Sequence, residues 1–424
     1  MSDKVQIRMY NVGFGDCFLL TLPGDRVVLV DAGFHSQGKG QFGGNELVDQ
    51  ILADVTTIKG EPRIDVIIAT HRHQDHVFAF NSDRWDKLAV GEVWLPWVED
   101  RSNTQAMRLW KKQQQFTMNL AAAVPTFGLD EENRKSVEFM LWNAGYDGLP
   151  GFYAGAWSNI GALDRLHEGF ARRDRVRPRF LPETETFPES FESSVLPGVR
   201  IHVLGPPRDP KLIEELDPEN DGETYRILPL RGASAGQVVY AVASGPPFAE
   251  DWRVSGSEPG PFPFEGDEVE RINALAKSAD AVFAAEKVDG MINSTSLVLV
   301  LEVGKARLLL PGDAEWGTWK RILDDDAART LLRGCTFFKV GHHGSHNATS
   351  KTLVEKILPK GINAMISTQQ GEGKYRNNIP LGDLLTALTQ RDIHFVRSDR
   401  GNEELPDGFA RGDKLRWIDL EVSC

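Results

Sequence analysis

The chain has 424 residues, 41% hydrophobic and 26% charged, with a formal net charge of −13. This is the balance of a soluble globular protein with room for two or three domains. It argues against a broad, non-specific nucleic-acid surface, though not against a nucleotide or nucleic-acid substrate met through divalent metals, which reverse the local field. No apolar run approaches the roughly 18 to 20 residues needed to span a bilayer, so no membrane insertion is expected. Cys17, Cys335 and Cys424 are too few for a disulfide framework. Met1-Ser2-Asp3-Lys4 has neither the basic nor the apolar region of a secretory signal, and a cytoplasmic location is expected. Oligomeric state is left open.

In chain order, Val5 to Met9 and Cys17 to Thr21 read as strands flanking the turn Asn11-Val12-Gly13-Phe14-Gly15-Asp16. A third strand, Arg26 to Val30, ends at Asp31-Ala32-Gly33. Asp16 and Asp31 thus sit at strand edges, where they are placed to support metal-binding imidazoles; ordinary turn chemistry accounts for Asp31 equally well. Gly38 to Gly44 is glycine-rich without phosphate-loop spacing. Asn45 to Ala53 carries Leu47, Ile51 and Leu52 on one helical face. The β-branched run Ile64 to Thr70 reads as a parallel strand covered on both faces. It leads into His71-Arg72-His73-Gln74-Asp75-His76. With histidine at 10 of 424 positions, three in six residues point to a metal site at the carboxyl end of a strand. Imidazole nitrogen and carboxylate oxygen suit zinc, iron or manganese. In an extended loop His71 and His73 point the same way and close on one ion. Asp75 and His76, where the chain turns into a helix, face a second.

Val77 to Phe80 continues into a helix and Val90 to Leu95 is the next strand. From about Pro96 to Leu196, helical patches such as Gln105 to Ala123 alternate with Gly, Pro and Trp, as in an insertion. Within it, Arg172, Arg173, Arg175, Arg177 and Arg179 offer bidentate phosphate contacts; a solvated face paired with the acids of Glu183 to Glu192 explains them as well. Val199 to Leu204 returns to strand character, with His202 as a packing residue. Gly245 to Gly266 reads as a linker, and Asp267 to Ala285 as a helix. Then come Asn293-Ser294-Thr295-Ser296, the hairpin strands Leu297 to Val303 and Ala306 to Leu310, and Pro311-Gly312-Asp313. Thr336 to Val340 ends in Gly341-His342-His343-Gly344-Ser345-His346. Asn363 to Ser367 is a strand, Pro380 to Gln390 a helix, and Ile393 to Arg397 a closing strand.

The His-x-His-x-Asp-His cluster, the later Gly-Asp and the His-His-Gly-Ser resemble the metallo-β-lactamase-fold hydrolases. The likeness is greatest to the soluble metal-binding domain of the ComEC/Rec2-type DNA-uptake proteins and its free-standing relatives. Val12 to Asp16, Asp31-Ala32-Gly33, Asn293 to Leu299, Gly312-Asp313 with Glu315, and Lys339 to Ser345 carry it. The resemblance implies an α/β fold, an αββα sandwich with ligands from both halves of the chain. Residues 1–97 and 196–424 then form one discontinuous core, and 98–195 an insertion that serves as lid or substrate wall. Two departures stand out. Lactamases and glyoxalase-like members carry a Gly-His where Leu204-Gly205-Pro206 stands here, which leaves one metal a ligand short. The DNA-uptake group often has a His-Pro where this chain has Asn378-Ile379-Pro380.

The implied site holds two divalent ions, zinc or else manganese. His71 and His73 bind one and Asp75 and His76 the other; Asp313 bridges, and His342, the first histidine to leave the sheet, completes the set. Such a pair activates a bridging hydroxide for in-line attack. Asp75 and Asp313 then serve the chemistry directly, with Asp75 receiving a proton. His343, His346, Ser345, Asn293 or Lys374-Tyr375-Arg376 bind or protonate the leaving group. Asp16, Asp31, Asn293 and Ser345 support the ligands, and Arg172, Arg173, Arg175, His346, Lys374 and Arg376 are candidate substrate contacts. The expected function is a phosphodiesterase or nuclease acting on nucleic acid or a nucleotide. The alternatives are hydrolysis of a carbon ester, thioester or lactone, and a non-catalytic scaffold of the same fold.

Overall fold

The structure, a computed structural model, describes residues 4–35, 40–43, 45–145, 159–170, 176–218, 222–225, 281–345, 348–370 and 379–424. Its strands form two sheets. The first takes β1 (Lys4–Tyr10), β2 (Cys17–Leu22), β3 (Arg26–Ala32), β4 (Arg63–Ile68), β5 (Ala89–Pro96) and β6 (Arg179–Leu181). The second takes β7 (Glu189–Glu192), β8 (Val199–Gly205), β9 (Val298–Val303), β10 (Ala306–Leu310), β11 (Phe337–Lys339), β12 (Asn363–Ile366) and β13 (His394–Arg397). Two last strands, β14 (Phe409–Arg411) and β15 (Trp417–Ser423), return to the first sheet, whose order is β14-β15-β1-β2-β3-β4-β5-β6. The second sheet runs β13-β12-β11-β10-β9-β8-β7. Each sheet is antiparallel at one end and parallel at the other, β3 to β6 in the first and β10 to β13 in the second.

The sheets face each other across one apolar layer. Val5, Ile7, Phe18 and Leu20 of the first meet Leu299, Leu301, Leu308 and Phe337 of the second. Alternate residues of the same strands point outward, so Val298, Val300 and Leu309 pack on Trp319, Ile322, Leu384 and Leu388 from helices Trp316–Asp324 and Gly382–Gln390. On the other side, α1 (Glu46–Lys59) lays Leu47, Ile51 and Val55 on Leu29, Ile67 and Val93. Each such aliphatic side chain withdrawn from water contributes roughly 1.5–3 kcal/mol. This is the αββα sandwich that the resemblance implies. Parallel strands β3 and β4 are buried on both faces, as their unbroken apolar runs require.

Helix α1 matches the expectation from Asn45 onward and runs six residues further, to a left-handed Gly60 whose N–H caps Thr56 O. The chain does not close at β13. Two more strands follow, and β15 pairs with β1. The pairing buries Ile418, Leu420 and Val422 and sets Asp419 and Glu421 against Arg8 (2.7 Å) and Lys4 (2.6 Å). The alternation Trp-Ile-Asp-Leu-Glu-Val-Ser carries that strand's signature in full.

Residues 98–195 contribute α2 (Thr104–Ala123), α3 (Glu131–Asn143) and α4 (Asn159–Glu168), and at their end the edge strands β6 and β7 of the two sheets. Residues 281–293 are helical. The expected linker 245–266 and most of the helix expected over 267–285 lie outside the described residues. Among the described residues no helix is long and apolar enough to cross a membrane.

Candidate metal centre

The parallel halves of both sheets aim their carboxyl ends at one edge, and the polar motifs emerge there. Asp31 ends β3, His71 to His76 follow β4, Asp313 follows β10, and His342 and His343 follow β11. Asp16 enters β2 at the same edge. The backbone there is tightly stacked. A Cβ on Gly33 would lie 2.1 Å from the Asp75 carbonyl, and one on Gly15 2.7 Å from the carbonyl oxygen of Gly33. Asp31, His342 and His343 all take left-handed φ values, 56°, 45° and 53°. Such residues cost roughly 1–2 kcal/mol each and persist where the surroundings dictate them.

Three donor groups among the described residues share one histidine. Ligand atoms of His71, His76 and Asp313 lie within 4.8 Å of one another, and so do those of Asp75, His76 and His343 and those of Asp16, Asp31 and His76. His76 Nδ1 is 2.8 Å from Asp31 Oδ2, which leaves Nε2 3.1 Å from Asp313 Oδ2. Asp31 also accepts from Thr70 N (2.7 Å) and Thr70 Oγ1 (2.8 Å). His343 Nδ1 donates to the Ser367 carbonyl at 2.9 Å, an acceptor that fixes the tautomer, and its Nε2 lies 3.0 Å from Asp75 Oδ2. His71 Nε2 and His73 Nδ1 face each other at 3.0 Å.

The adjacent histidines part company here. His342 was expected to complete the set, but it is His343 that is buried beside Asp75 and His76. His342 is 18% exposed at the edge, with Nε2 4.0 Å from Asp313 Oδ2 and its backbone N–H donating to Asp313 Oδ1. The left-handed turn at both residues swings the second imidazole, not the first, into the interior.

The donor set fits divalent cations. Asp16, Asp31, Asp75 and Asp313 are buried together around His76, and the Lys339 ammonium reaches two of them, Asp16 and Asp313. Burial of that much negative charge requires a counter-charge. Asp75 Oδ1 and His73 Nε2 are buried with no hydrogen-bond partner among the described residues. Burial pushes His71 and His73 down, His73 to about 3, so both present neutral nitrogen. Burial alone would lower His76 as well, but Asp313, Asp31, Asp75 and Asp16 outweigh it and hold the imidazole protonated. In the metal-free protein that proton occupies the place of a cation. Burial would raise Asp75 and Asp313, yet His76 and its neighbours, Lys339 included for Asp313, hold both well below the usual carboxylate range.

Helices from residues 98–195 grip this loop from behind. Gln74 Nε2 donates to the Trp142 carbonyl (3.0 Å), and Asp75 N lies 3.4 Å from Asn143 Oδ1. Asn159 Nδ2 donates to the Arg72 carbonyl at 2.8 Å. The Arg72 guanidinium, also buried, binds Glu99 (2.8 Å) and Gln113. Asn293 donates to Glu315 at 3.3 Å, and burial, reinforced by Asp217, raises the Glu315 carboxyl. Ser345 is buried at the end of the His342-His343 turn. Glu99, Gln113, Asp289 and His35 were not picked out from sequence. Lys339 stands there only as the first residue of the Lys339 to Ser345 motif, with no role given to its charge.

His35 stacks on Phe139 at 3.8 Å and is pushed down to about 3 by burial, with Asp75 opposing and His343 assisting. Its folded value is below the unfolded one, near 6.5. Its contribution is therefore complete above pH 6.5 and is lost as pH falls through the folded value. In the metal-free protein, His35→Phe is expected to flatten the loss of stability between pH 6.5 and 3 by up to about 1.4 kcal/mol per pH unit. Urea midpoints at pH 7, 6 and 5 check this; an unchanged slope would refute it.

Arg172, Arg173, Arg175, His346, Lys374 and Arg376 lie outside the described residues. Arg179 is described, and pairs with Glu183 at 2.9 Å over the ring of Phe191, the solvated pairing expected of that segment. His202 is a packing residue between Ser190 and Glu302.

Comparison with known proteins bears on this geometry. The sequence model of the metallo-beta-lactamase superfamily matches residues 10–82, a span that holds Asp16, Asp31 and the whole His71 to His76 cluster. No curated protein matches the chain. The family match and the two mixed sheets agree on the sandwich, and the match indicates a metal-dependent hydrolase in general terms.

Proposed function

We propose that this protein is a two-metal hydrolase, holding zinc or else manganese, that cleaves a phosphodiester in nucleic acid or a nucleotide. The observation that carries the reading is that two donor groups, His71/His76/Asp313 and Asp75/His76/His343, adjoin at His76, with Asp313 Oδ2 3.1 Å from His76 Nε2 and 4.0 Å from His343 Nε2. His71 and His73 would hold the first ion, with His342 at its open side. Asp75, His76 and His343 would hold the second, with Asp313 between them. A bound divalent pair supplies a water nucleophile of lowered pKa and a counter-charge for phosphoryl oxygens.

The chain's own residues do the rest. Asp31 and the Ser367 carbonyl fix the rings of His76 and His343 so that each presents Nε2 inward. Lys339 keeps Asp313 ionised. Asp75 Oδ1 is placed to take a proton from the attacking water. Gly205-Pro206 at the end of β8 supplies no histidine to the donor set, so His71 and His73 would hold the first ion with fewer protein ligands than the second. The motif likeness set out above supports a phosphodiester in particular.

A panel of nitrophenyl phosphodiesters, oligonucleotides, lactones and thioesters tests the substrate class. Turnover of phosphodiesters alone is expected; turnover of lactones alone would sink that part of the reading. A strong chelator is expected to abolish turnover and to lower the melting temperature, since each ion at 100 times its Kd adds about 2.7 kcal/mol. An unchanged melting curve would refute metal binding itself.

A further inference from the structure

His73 has a second face. Its Nδ1 meets His71 Nε2, while its Nε2 points away from that pair, 3.5 Å from Asp289 Oδ1. Asp289 belongs to the helical stretch 281–293, outside the span matched by the family model. That stretch is fixed on several sides. Ala281, Ala285 and Val288 pack on Leu120, Val137 and Leu141 of the inserted helices. Gln113 Nε2 donates to the Met291 carbonyl at 2.8 Å, and the same side chain's Oε1 accepts from Arg72, next to His73. Gly290 leaves just enough room for Leu216, which a Cβ would meet at 2.9 Å. The helix is thus locked in register with the loop that carries His73.

We propose that Asp289 is the positioning residue for His73: its carboxylate holds the ring so that Nδ1 faces the first ion, as outer carboxylates do for metal-bound imidazoles. A 3.5 Å separation is longer than a made hydrogen bond; it closes by a small ring rotation when Nδ1 is engaged. The carboxylate fixes the Nε2–H tautomer and strengthens Nδ1 as a donor. It serves the first ion alone, because His76 and His343 have their own partners in Asp31 and Ser367. The first site, one histidine short, therefore depends on this helix for its affinity. The inference rests on the two-ion reading above.

The test is a zinc titration of the full chain in competition with a chromophoric chelator. Two ions are expected for the native protein. Asp289→Asn is expected to weaken one of them by roughly 10–100-fold and leave the other unchanged, and Asp289→Glu to restore most of the loss. The weakened site should be the one lost in His73→Ala. Asp289 is 18% exposed, so its replacement spares the core; Asp289→Ser serves as second variant. Two ions bound by both Asp289→Asn and Asp289→Ser as tightly as by the native chain would overturn the proposal. So would equal weakening of both ions with a lower melting temperature of the metal-free protein, which would make Asp289 part of the fold only. Uptake of fewer than two ions by the native protein would overturn the two-ion reading instead, a result visible before any variant is made.

Discussion

Asp313→Ala is expected to lower hydrolysis by at least roughly 10³-fold and to strip metal from the protein while the fold remains. The magnitude follows from removing a preorganised charge in a dry site, which alone costs about 10²–10³ in rate, and from losing the group between two donor sets. Asp313 touches both: its Oδ2 is 3.1 Å from His76 Nε2 and 4.0 Å from His343 Nε2. It also accepts from the backbone of His342 and faces Lys339 at 3.5 Å. Removal leaves Lys339 and a protonated His76 with one carboxylate fewer. Metal analysis after dialysis and initial rates on a phosphodiester would check it. Full metal content with native turnover would refute the assignment; full content with no turnover would move Asp313 from ligand to chemistry.

Arg72→Ala is expected to destabilise the metal-free protein by about 3–5 kcal/mol, the usual cost of stranding one member of a buried ion pair. Arg72 and Glu99 are 5% and 6% exposed and 2.8 Å apart. Truncation would leave Glu99 charged in the interior and Gln113 without its donor. Arg72→Met with Glu99→Leu should recover most of the loss, because an apolar pair of similar volume often does as well as the ion pair. The double variant is still expected to bind metal less tightly, since the loop between His71 and His73 then loses its guanidinium anchor and relies on Asn159 and its flanking contacts. Urea denaturation of the three proteins decides; a single variant within about 1 kcal/mol of native would refute the claim that this pair locks the loop.

Much of the sandwich is local information. The runs at Ile64 to Ile68 and Leu297 to Val303 read as buried strands because a near-continuous apolar run is visible within a few neighbouring residues. The His71 to His76 cluster was legible because a six-residue spacing constrains which atoms converge, whatever surrounds it. Strand β15 carries its signature in its alternation yet falls beyond the strand expected to close the chain, and its place beside β1 was not legible, since pairing joins residues more than 400 positions apart. The adjacent imidazoles of His342 and His343 are identical in sequence terms. Only the left-handed backbone at that turn, enforced by packing against Phe14 and the Ser367 carbonyl, sends His343 inward.

The sequence by itself determined the fold class, the donor types and the cluster that begins at His71. The tertiary structure decided which histidine faces Asp75, that Lys339 sits among the buried carboxylates while Asp31 holds His76, and that Glu99 and Gln113 from residues 98–195 and Asp289 from the helix 281–293 reach the His71 to His76 loop. The reason is range. Backbone periodicity and short spacings are written within a few residues, whereas a buried charge finds its partner only when distant segments pack, and its direction is set by the turns that deliver it.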